Sequence, residues 1–399
     1  ISHQRKTLNY AQIASTSRFF NDRLALTLGA RRDSVTNIQQ TNTGIPVDPV
    51  TGLPRIGAVL FNAQGIPTPV IGAKTRGEFA PVSKNAGFVW FVLPWAGVFA
   101  NTSETFAAPN SGNNLIDGTT PPISKSKGQD YGLKFELLGG RIVASASYYT
   151  SEQKGLLITG ANITELNRIG TNLNRPDLAA LAFRDTQDQK GSGYEFEVTA
   201  NPVRNLRLTA NLALPRTSAV NLQPGLLGFF NANVAGWTAA APTALNPTQV
   251  LNDINTIRNA LASLTPGTVL NNTFKYTGNL YATYNFTEGA LKNFSVGAGG
   301  NFRGRSKIAS VTGSPYDYLY ADPYTVLAAH AAWRHRLAGR FNVRYQLNVA
   351  NLLDSDKAIA NAYGTFRVGN LGTNPLLQVP TTLRMSEPRK FTLQASVDF

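Results

Sequence analysis

The chain has 399 residues, an ordinary apolar content of 42%, a formal net charge of +14 and no cysteine. No uncharged apolar run reaches about 18 residues, which excludes a helical membrane protein, and the lack of cysteine excludes thiolate metal sites and cysteine nucleophiles. The basic residues are scattered singly and form no cluster beside stacking aromatics, so the charge does not indicate nucleic-acid binding. Arginines along a lumen, or at a rim facing anionic lipopolysaccharide, explain the excess at least as well.

Apolar and polar residues alternate at period two in about thirteen segments, the pattern of strands with one apolar and one polar face. A single such strand also occurs in soluble sheets, but a long series is typical of a membrane barrel. The pattern therefore predicts an all-β, antiparallel protein. The predicted strands lie near residues 5–15, 22–34, 84–93, 97–106, 128–138, 141–154, 191–201, 204–218, 272–287, 293–307, 323–337, 340–353 and 388–399.

The connections between these strands alternate strictly between short and long. Short periplasmic turns and long extracellular loops are typical of bacterial outer-membrane barrels, so the alternation predicts an antiparallel transmembrane β-barrel. Leu138, Gly139 and Gly140 supply the positive φ angles of one tight turn. Short turns are predicted at residues 17–21, 94–96, 138–140, 202–203, 288–292 and 337–339, and long links at 35–83, 107–127, 155–190, 219–271, 308–322 and 354–387.

Arginines on the polar faces of the strands indicate a wet lumen. Arg340 and Arg344 share a face with amide side chains, an arrangement that requires water and does not suit a dry core. The candidate lumen-facing residues are Arg207, Arg303, Arg340 and Arg344. Aromatic residues near strand ends predict an interfacial girdle, with ordinary sheet packing as the alternative; they are Trp90, Trp95, Trp333, Tyr148 and Tyr149.

The last strand predicts the direction of the series. It follows a long link, so it descends and ends in the periplasm, while counting back thirteen strands places Ile1 on the outside. A single-chain bacterial barrel has an even strand number, so the chain is expected to be the C-terminal part of a larger barrel; a complete barrel of about twelve strands is the alternative. The barrel-closing strand, predicted also to be the signal for the barrel-assembly machinery, carries Phe391, Leu393, Val397 and Phe399.

The long links are the predicted cargo surface, although cargo identity is not readable from them. Link 219–271 carries the candidate cargo residues Phe229, Phe230 and Trp237, followed by a helix over residues 246–264. Asn246 can cap this helix, and its apolar residues recur at helical spacing. The stripe is expected to pack on neighbouring loops, with a moving lid as the alternative. Residues 35–83 are rich in glycine and proline and predict a mobile link.

Three smaller features complete the inventory of candidate sites. Asn351 and Asp354 follow a strand and are expected to satisfy freed backbone amides rather than to bind a ligand. The glycine-rich run 297–304 lies within a strand, which predicts close packing against a plug or a bulge. The only histidines are His3, His330 and His335; they form no set that predicts a catalytic or metal site. No catalytic residue, metal or cofactor is therefore predicted.

Five stretches resemble the C-terminal barrel half of TonB-dependent outer-membrane receptors. They are residues 20–32 (FNDRLALTLGARR), 98–106 (VFANTSETF), 131–136 (YGLKFE) with 141–150, 347–354 (LNVANLLD) and 388–399. The resemblance implies a monomeric barrel of 22 strands, plugged by an N-terminal domain that binds scarce cargo and is pulled by the TonB complex. On this basis residues 1–399 are expected to be one barrel domain that lacks the plug, the TonB box and the early strands.

The resemblance implies energy-dependent uptake of a siderophore, cobalamin or an oligosaccharide, and it implies contact with outer-membrane lipid and lipopolysaccharide. A passive porin is the alternative, which an upstream reading frame without a plug would favour. An outer-membrane protease or lipase would need a histidine with acidic or serine partners at the rim. A soluble β protein would express without detergent.

Overall fold

The computed structural model describes residues 2–42, 71–109, 114–179, 183–311, 314–337, 341–367 and 376–398. Its strands are β1 (Ser2–Phe19), β2 (Leu24–Asn42), β3 (Ile71–Phe79), β4 (Val82–Leu93), β5 (Ala96–Ala107), β6 (Ser124–Leu137), β7 (Ile142–Thr159), β8 (Arg184–Ala200), β9 (Leu206–Val220), β10 (Thr277–Asn285), β11 (Phe294–Arg303), β12 (Ser306–Val311), β13 (Ser314–Ala321), β14 (Tyr324–Leu337), β15 (Phe341–Ala350), β16 (Ala358–Arg367), β17 (Leu376–Met385) and β18 (Lys390–Asp398). Its helices are α1 (Ile163–Asn172), α2 (Pro176–Ala179), α3 (Pro224–Ala240) and α4 (Pro247–Ala262), with a 3-10 turn at Ala241–Thr243. Within the described ranges, no helix is both long and apolar enough to cross a bilayer.

Thirteen strands form one antiparallel meander in the order β1-β2-β4-β5-β6-β7-β8-β9-β10-β11-β14-β15-β18, and β3 pairs with the far end of β2. Each of the thirteen predicted segments coincides with one strand of this meander, so the predicted series is confirmed. We call these thirteen strands the wall.

The long links contain strands that the sequence did not predict. Besides β3, the hairpins β12–β13 and β16–β17 form two separate two-stranded sheets in the links after β11 and β15. Both hairpins contain register shifts, and β17 contains Pro380. Shifts of register and a proline interrupt the pairing of these strands, so they are harder to recognise from sequence than the strands of the wall. Of the predicted mobile link 35–83, residues 43–70 lie outside the described residues, and the described parts belong to the end of β2, to β3 and to the start of β4.

The register of the wall separates an apolar face from a polar face. One row of cross-strand neighbours takes one residue from each wall strand from β1 to β9: Phe19, Leu24, Trp90, Val98, Leu133, Ala146, Phe196 and Leu212. Phe196, Leu133 and Leu212 are each at least 40% exposed. A continuous apolar surface of this extent needs an apolar solvent, and alternation of apolar-out and polar-in residues is the arrangement of a barrel in lipid.

The turns follow the prediction closely. Leu138, Gly139 and Gly140 have φ angles of 52°, 65° and 81°, so all three adopt the left-handed conformation expected for this turn. The first turn is the exception, because β1 continues to Phe19 and the chain reverses over Phe20, Asn21 and Asp22, all with positive φ. The turn predicted at residues 337–339 lies mostly outside the described residues.

Asn351 and Asp354 have the structural role that the sequence predicted. Asn351 is buried; its amide donates to the carbonyls of Ser355 and Glu387 at 2.9 and 2.8 Å, and its side-chain oxygen accepts from the Ser355 N–H. The Asp354 carboxylate accepts from the Arg389 N–H at 2.9 Å. These bonds tie the end of β15 to the segment that leads into β18.

The glycine-rich run in β11 is regular, which contradicts the predicted bulge, while close packing against a plug stays a prediction. β11 pairs with β10 and β14 without a register shift. A Cβ on Gly299 would lie 2.3 Å from the Tyr281 ring, and one on Gly297 would lie 2.4 Å from the His330 ring. The two rings stack with centroids 6.0 Å apart. The glycines therefore leave room for two rings from the neighbouring strands to lie against the wall.

The aromatic residues proposed for the girdle divide between the two faces. Trp90, Trp95 and Trp333 are exposed near the ends of β4, β5 and β14. Tyr148 lies between Tyr131 and Tyr194 on the apolar face. Tyr149 faces the other way, opposite Gly193, because adjacent residues of a strand point to opposite faces. Tyr149 therefore does not belong to the apolar face.

The links after β7 and β9 form a helical layer, defined as α1, α2, α3 and α4. Its core contains the fully buried Leu166, Ile169, Leu226, Val250 and Ile257. The predicted helix over 246–264 is confirmed as α4, and the Asn246 side chain accepts a hydrogen bond from the Gln249 N–H at 3.1 Å. Its apolar stripe packs on neighbouring loops, as predicted; the moving lid stays a prediction.

Candidate functional site

A cavity of about 1050 Å³ lies beside the parts of β7, β8 and β9 that extend beyond the apolar row of the wall, next to the segment that leads into β10. Ser151, Gly191 and Thr217 form one cross-strand row along its wall side. A Cβ on Gly191 would lie 2.6 Å from the Ser151 hydroxyl oxygen. These small residues leave the recess, and Lys275, Lys307 and Tyr320 border it from the next links.

Cations and aromatic rings are paired beside this cavity. The Lys275 ammonium lies 5.0 Å from the centroid of the Tyr320 ring, and the Lys307 ammonium 4.3 Å from that of Tyr318. The Arg303 guanidinium lies 5.5 Å from the Phe274 ring and 5.4 Å from the Tyr324 ring. We call this set the basic–aromatic cluster: Arg303, Lys275, Lys307, Phe274, Tyr318, Tyr320 and Tyr324.

The cluster carries positive charge that no carboxylate of the described residues neutralises. Among the described residues, Arg303, Lys275 and Lys307 make no ion pair. Lys307 is 3% exposed, and its ammonium donates to the Val269 carbonyl. Burial lowers the pKa of Lys307, because removal from water disfavours the charged form. A cluster of this kind attracts anions, and its rings offer flat surfaces to an aromatic ligand.

Buried carboxylates hold the helical layer in place. Asp185 in β8 accepts the N–H groups of Gly225 and Leu226 at 3.0 and 2.8 Å, at the N-terminal end of α3. This end of a helix has free N–H groups and a positive dipole, so the carboxylate is satisfied there. Asp253 in α4 accepts the Arg168 guanidinium from α1, with the Nε at 3.1 Å. The layer is therefore anchored to the wall at α3 and joined internally between α1 and α4.

The candidate cargo residues of link 219–271 lie in this layer. Phe230 and Trp237 are 4% and 3% exposed and belong to the helical core, and Phe229 packs against Trp237 with ring centroids 6.0 Å apart. Enclosure among the other apolar side chains of the helical core favours a packing role over contact with cargo. Arg303 of β11 belongs to the basic–aromatic cluster, so one of the candidate lumen-facing arginines lies where the structure concentrates positive charge.

The remaining candidates lie on the wall. Arg207 is opposite Thr283, and Arg344 is opposite Arg334 and Ser396, all on the polar face. On β18, Phe391, Leu393 and Val397 face Val349, Leu347 and Val343 of β15 and are exposed. Arg340 and Phe399 lie outside the described residues.

The sequence reasoning missed Lys275, Lys307, Tyr318 and Tyr320. Tyr318 and Tyr320 alternate at period two within the predicted long link 308–322, and that alternation is the available signal of a strand. Lys307 stands directly opposite Tyr320 in the β12–β13 hairpin. Only the pairing of the hairpin, which the sequence does not reveal, brings the lysine to the rings.

The chain matches the family model described as "TonB dependent receptor-like, beta-barrel" over residues 2–352. No curated protein sequence matches it. Among solved structures, it is similar to the ferric-catecholate import receptor Fiu of E. coli K12 in its closed form (TM-score 0.61, 16% identity, 99% of this chain and 45% of that one). It is also similar to BauA, the ferric preacinetobactin receptor of Acinetobacter baumannii (0.62, 15%, 100% and 44%) and to the ferripyoverdine receptor of Pseudomonas aeruginosa (0.56, 14%, 99% and 48%).

At these identities the solved structures establish a shared fold. The chain spans a little less than half the length of each of the three. Its alternating strands, its apolar face and its short turns and long links are those of an outer-membrane barrel.

Proposed function

Because the chain belongs to the family of TonB-dependent receptor-like β-barrels, which are bacterial outer-membrane proteins, we propose that it supplies wall and extracellular links to a receptor for an anionic, aromatic iron chelate of the siderophore class. We propose residues 1–399 as part of one barrel domain. Coupling to the TonB complex through a plug belongs to the same proposal.

The basic–aromatic cluster is the observation that carries this proposal. Three cations with no carboxylate partner among the described residues lie over four aromatic rings beside a cavity of about 1050 Å³. Iron chelates built on aromatic hydroxyl groups are anionic and present flat aromatic rings at their surface, so they complement both features. A neutral oligosaccharide would gain little from unpaired cations. The three solved relatives named above are receptors for ferric chelates, which agrees with this choice.

A passive channel is the second candidate. A porin needs an open aqueous lumen, whereas an uptake receptor needs affinity for its cargo. Saturable binding at micromolar cargo would favour the receptor, and conductance that rises linearly with solute would favour the channel.

Neutralising the cluster in the full-length receptor tests the proposal. We expect Lys275→Gln with Arg303→Gln to weaken binding of a ferric tricatecholate by roughly tenfold or more, since a hydrogen bond to a charged group is worth about 1.5–3 kcal/mol. Tryptophan fluorescence quenching measures the affinity. Arg204→Gln is the control, because Arg204 is exposed in the turn between β8 and β9. The same loss for cobalamin or a neutral oligosaccharide would contradict the cargo class, and unchanged tricatecholate binding would contradict the site.

The pH dependence of binding gives an independent signature. The pKa of Lys307 lies below its ordinary 10.5 in the folded protein, so folding favours the neutral amine and stability rises with pH between the lowered pKa and 10.5. A bound anion favours the ammonium instead. Affinity should therefore fall as pH rises through the lowered pKa, and Lys307→Met should flatten this fall. A pH profile that is identical in the variant would remove Lys307 from the site.

A further inference from the structure

We propose that the polar face of the wall carries a second binding site for the anionic chelate, formed by Arg334 of β14 and Arg344 of β15, to which the chelate descends from the basic–aromatic cluster. This second site rests on the proposed function, because its ligand is the same cargo. The cluster lies at the extracellular mouth, whereas these two residues lie deeper in the lumen. We call them the lumen arginine pair.

The two arginines of the pair are direct cross-strand neighbours. Side chains placed in this way have Cβ atoms about 4.5–5.5 Å apart, and like charges there destabilise the sheet. Within the described residues, neither arginine makes an ion pair, and the Nε–H group of Arg344 is buried without a hydrogen-bond partner. An anion between the guanidinium groups removes the repulsion, because arginine donates paired N–H groups to anionic oxygens.

The strands that connect the cluster to the pair form a basic side of the lumen. They are β9, β10, β11, β14 and β15, and among their described residues no aspartate or glutamate shares the polar face. The arginines on this face are Arg207, Arg303, Arg334, Arg336 and Arg344. A lining of one sign in a cleft concentrates ions of the opposite sign.

The polar face of β6, β7 and β8 has the opposite charge. Below the row of Ser151 and Gly191 it carries four carboxylates and one lysine: Asp130, Glu136, Glu195, Glu197 and Lys134. Within the described residues, none of these four carboxylates forms an ion pair. An anion is therefore repelled from this side of the lumen and attracted to the other, so the chelate descends along β9 to β15.

Small side chains leave room on that side between the cluster and the pair. The polar face of β11 and β14 includes Ser295, Gly297, Gly299, Ala328 and Ala332. The rings of Tyr281 and His330 occupy the space over the two glycines, and the Tyr281 hydroxyl lies 2.5 Å from the His330 Nδ1. These rings are thus held against the wall and leave the path beside them open.

The depth of the pair makes it a site of its own. Arg303 is the cross-strand neighbour of Tyr324. Arg334 lies ten residues further along β14, which is about 33 Å at the rise of a β-strand. Charges this far apart in water are screened from each other at physiological salt. The pair therefore does not share one bound chelate with the cluster.

Uptake by cells that carry the full-length receptor tests the pair, with a ferric tricatecholate labelled with radioactive iron. We expect Arg334→Gln with Arg344→Gln to lower the maximal uptake rate roughly tenfold, since a hydrogen bond to a charged group is worth about that factor or more. The dissociation constant at the mouth, measured by tryptophan fluorescence quenching, should change less than about twofold because of the screening.

Two further variants separate the site from a general effect of charge. Arg334→Lys with Arg344→Lys keeps the charge and should keep most of the uptake rate. Lys134→Gln with Arg141→Gln removes two charges from the other side of the wall and should leave the rate unchanged. Lys134 lies on the polar face of β6, and Arg141 is exposed at the turn that follows. Gel mobility of the unheated barrel reports folding of each variant.

Three results would overturn the second site while the proposed function stands. The first is an unchanged uptake rate in the Gln variant of the pair, although Lys275→Gln with Arg303→Gln weakens binding at the mouth. The second is an equal fall in the control variant. The third is entry of vancomycin through the Gln variant without chelate, which would mean that the pair holds a fixed carboxylate in the lumen. Unchanged binding in the Lys275 and Arg303 variant would instead contradict the proposed function itself and remove the ligand of the second site.

Discussion

The wall and the helical layer are stabilised in opposite ways. In the wall, Phe196 and Leu212 are each at least 40% exposed, and the residues next to them along each strand point to the polar face. In the helical layer, Leu226 and Val250 are fully buried and surrounded by other apolar side chains. The wall therefore depends on backbone pairing and on lipid as its apolar solvent, whereas the layer depends on a small dry core of its own.

This difference predicts that the two regions respond to different substitutions. Loss of a methyl group should matter in the layer, because a cavity there has no neighbouring solvent to fill it. The same loss on the apolar face should matter little, because lipid fills the space. An added charge or an added Cβ should instead cost more stability in the wall than in the layer.

Leu226→Ala should have the largest effect. Leu226 lies near the start of α3 and is completely buried in the core of the layer. Leu→Ala at such sites lowers the free energy of unfolding by about 2.7–5 kcal/mol. Hydrogen exchange should become faster in α1, α3 and α4, while the amides of β6 to β9 keep their protection. Leu227→Ala is the control, because Leu227 is 44% exposed. Loss of protection in the wall strands as well would mean that the layer and the wall unfold as one unit.

A charge on the apolar face should come next. Leu212 lies six residues from the periplasmic end of β9, near the middle of the apolar band. Leu212→Arg should destabilise the folded barrel by about 2–4 kcal/mol, as arginine does near the midplane of a bilayer. Its neighbour Ala213 points to the polar face, opposite Glu195, so Ala213→Arg should be nearly neutral. Urea unfolding in lipid vesicles measures both, and equal effects would mean that the faces are assigned the wrong way round.

Added volume between paired strands should have a smaller effect, confined to the wall. A Cβ on Gly132 would lie 2.1 Å from the Ala146 carbonyl oxygen, whereas one on Gly128 would meet only the Ser103 hydroxyl at 3.5 Å. Gly132→Ala should therefore cost about 1–3 kcal/mol through displaced backbone, and Gly128→Ala should be tolerated. The same vesicle assay separates them, and a neutral Gly132→Ala would show that β6 and β7 can move apart.

The sequence predicted the wall far better than the site, for a physical reason. Alternation at period two is a local signal, and lipid on one face of every strand enforces it from β1 to β18. The helix α4 was also predictable, because Asn246 and the spacing of Val250, Ile254 and Ile257 lie within one segment. The basic–aromatic cluster joins Lys275, from the link after β9, to Lys307 and Tyr320, from the link after β11. No local pattern encodes their meeting, which depends on the pairing of β12 with β13.

Removal of the cap of α4 should have the smallest effect on stability. It tests whether one turn of the layer can loosen without the rest of the layer or the wall. Asn246 accepts the Gln249 N–H at 3.1 Å, one of the N–H groups that a helix leaves free at its first turn. Asn246→Ala should cost about 1 kcal/mol, and Asn246→Ser should keep most of the stability because its hydroxyl can accept the same bond. Hydrogen exchange at the first turn of α4 is the measurement. Since Val250 and Ile254 anchor the next turns in the core, the loss should stay in this turn. Spread of the faster exchange to α1 would show that the layer is less stable than its burial indicates.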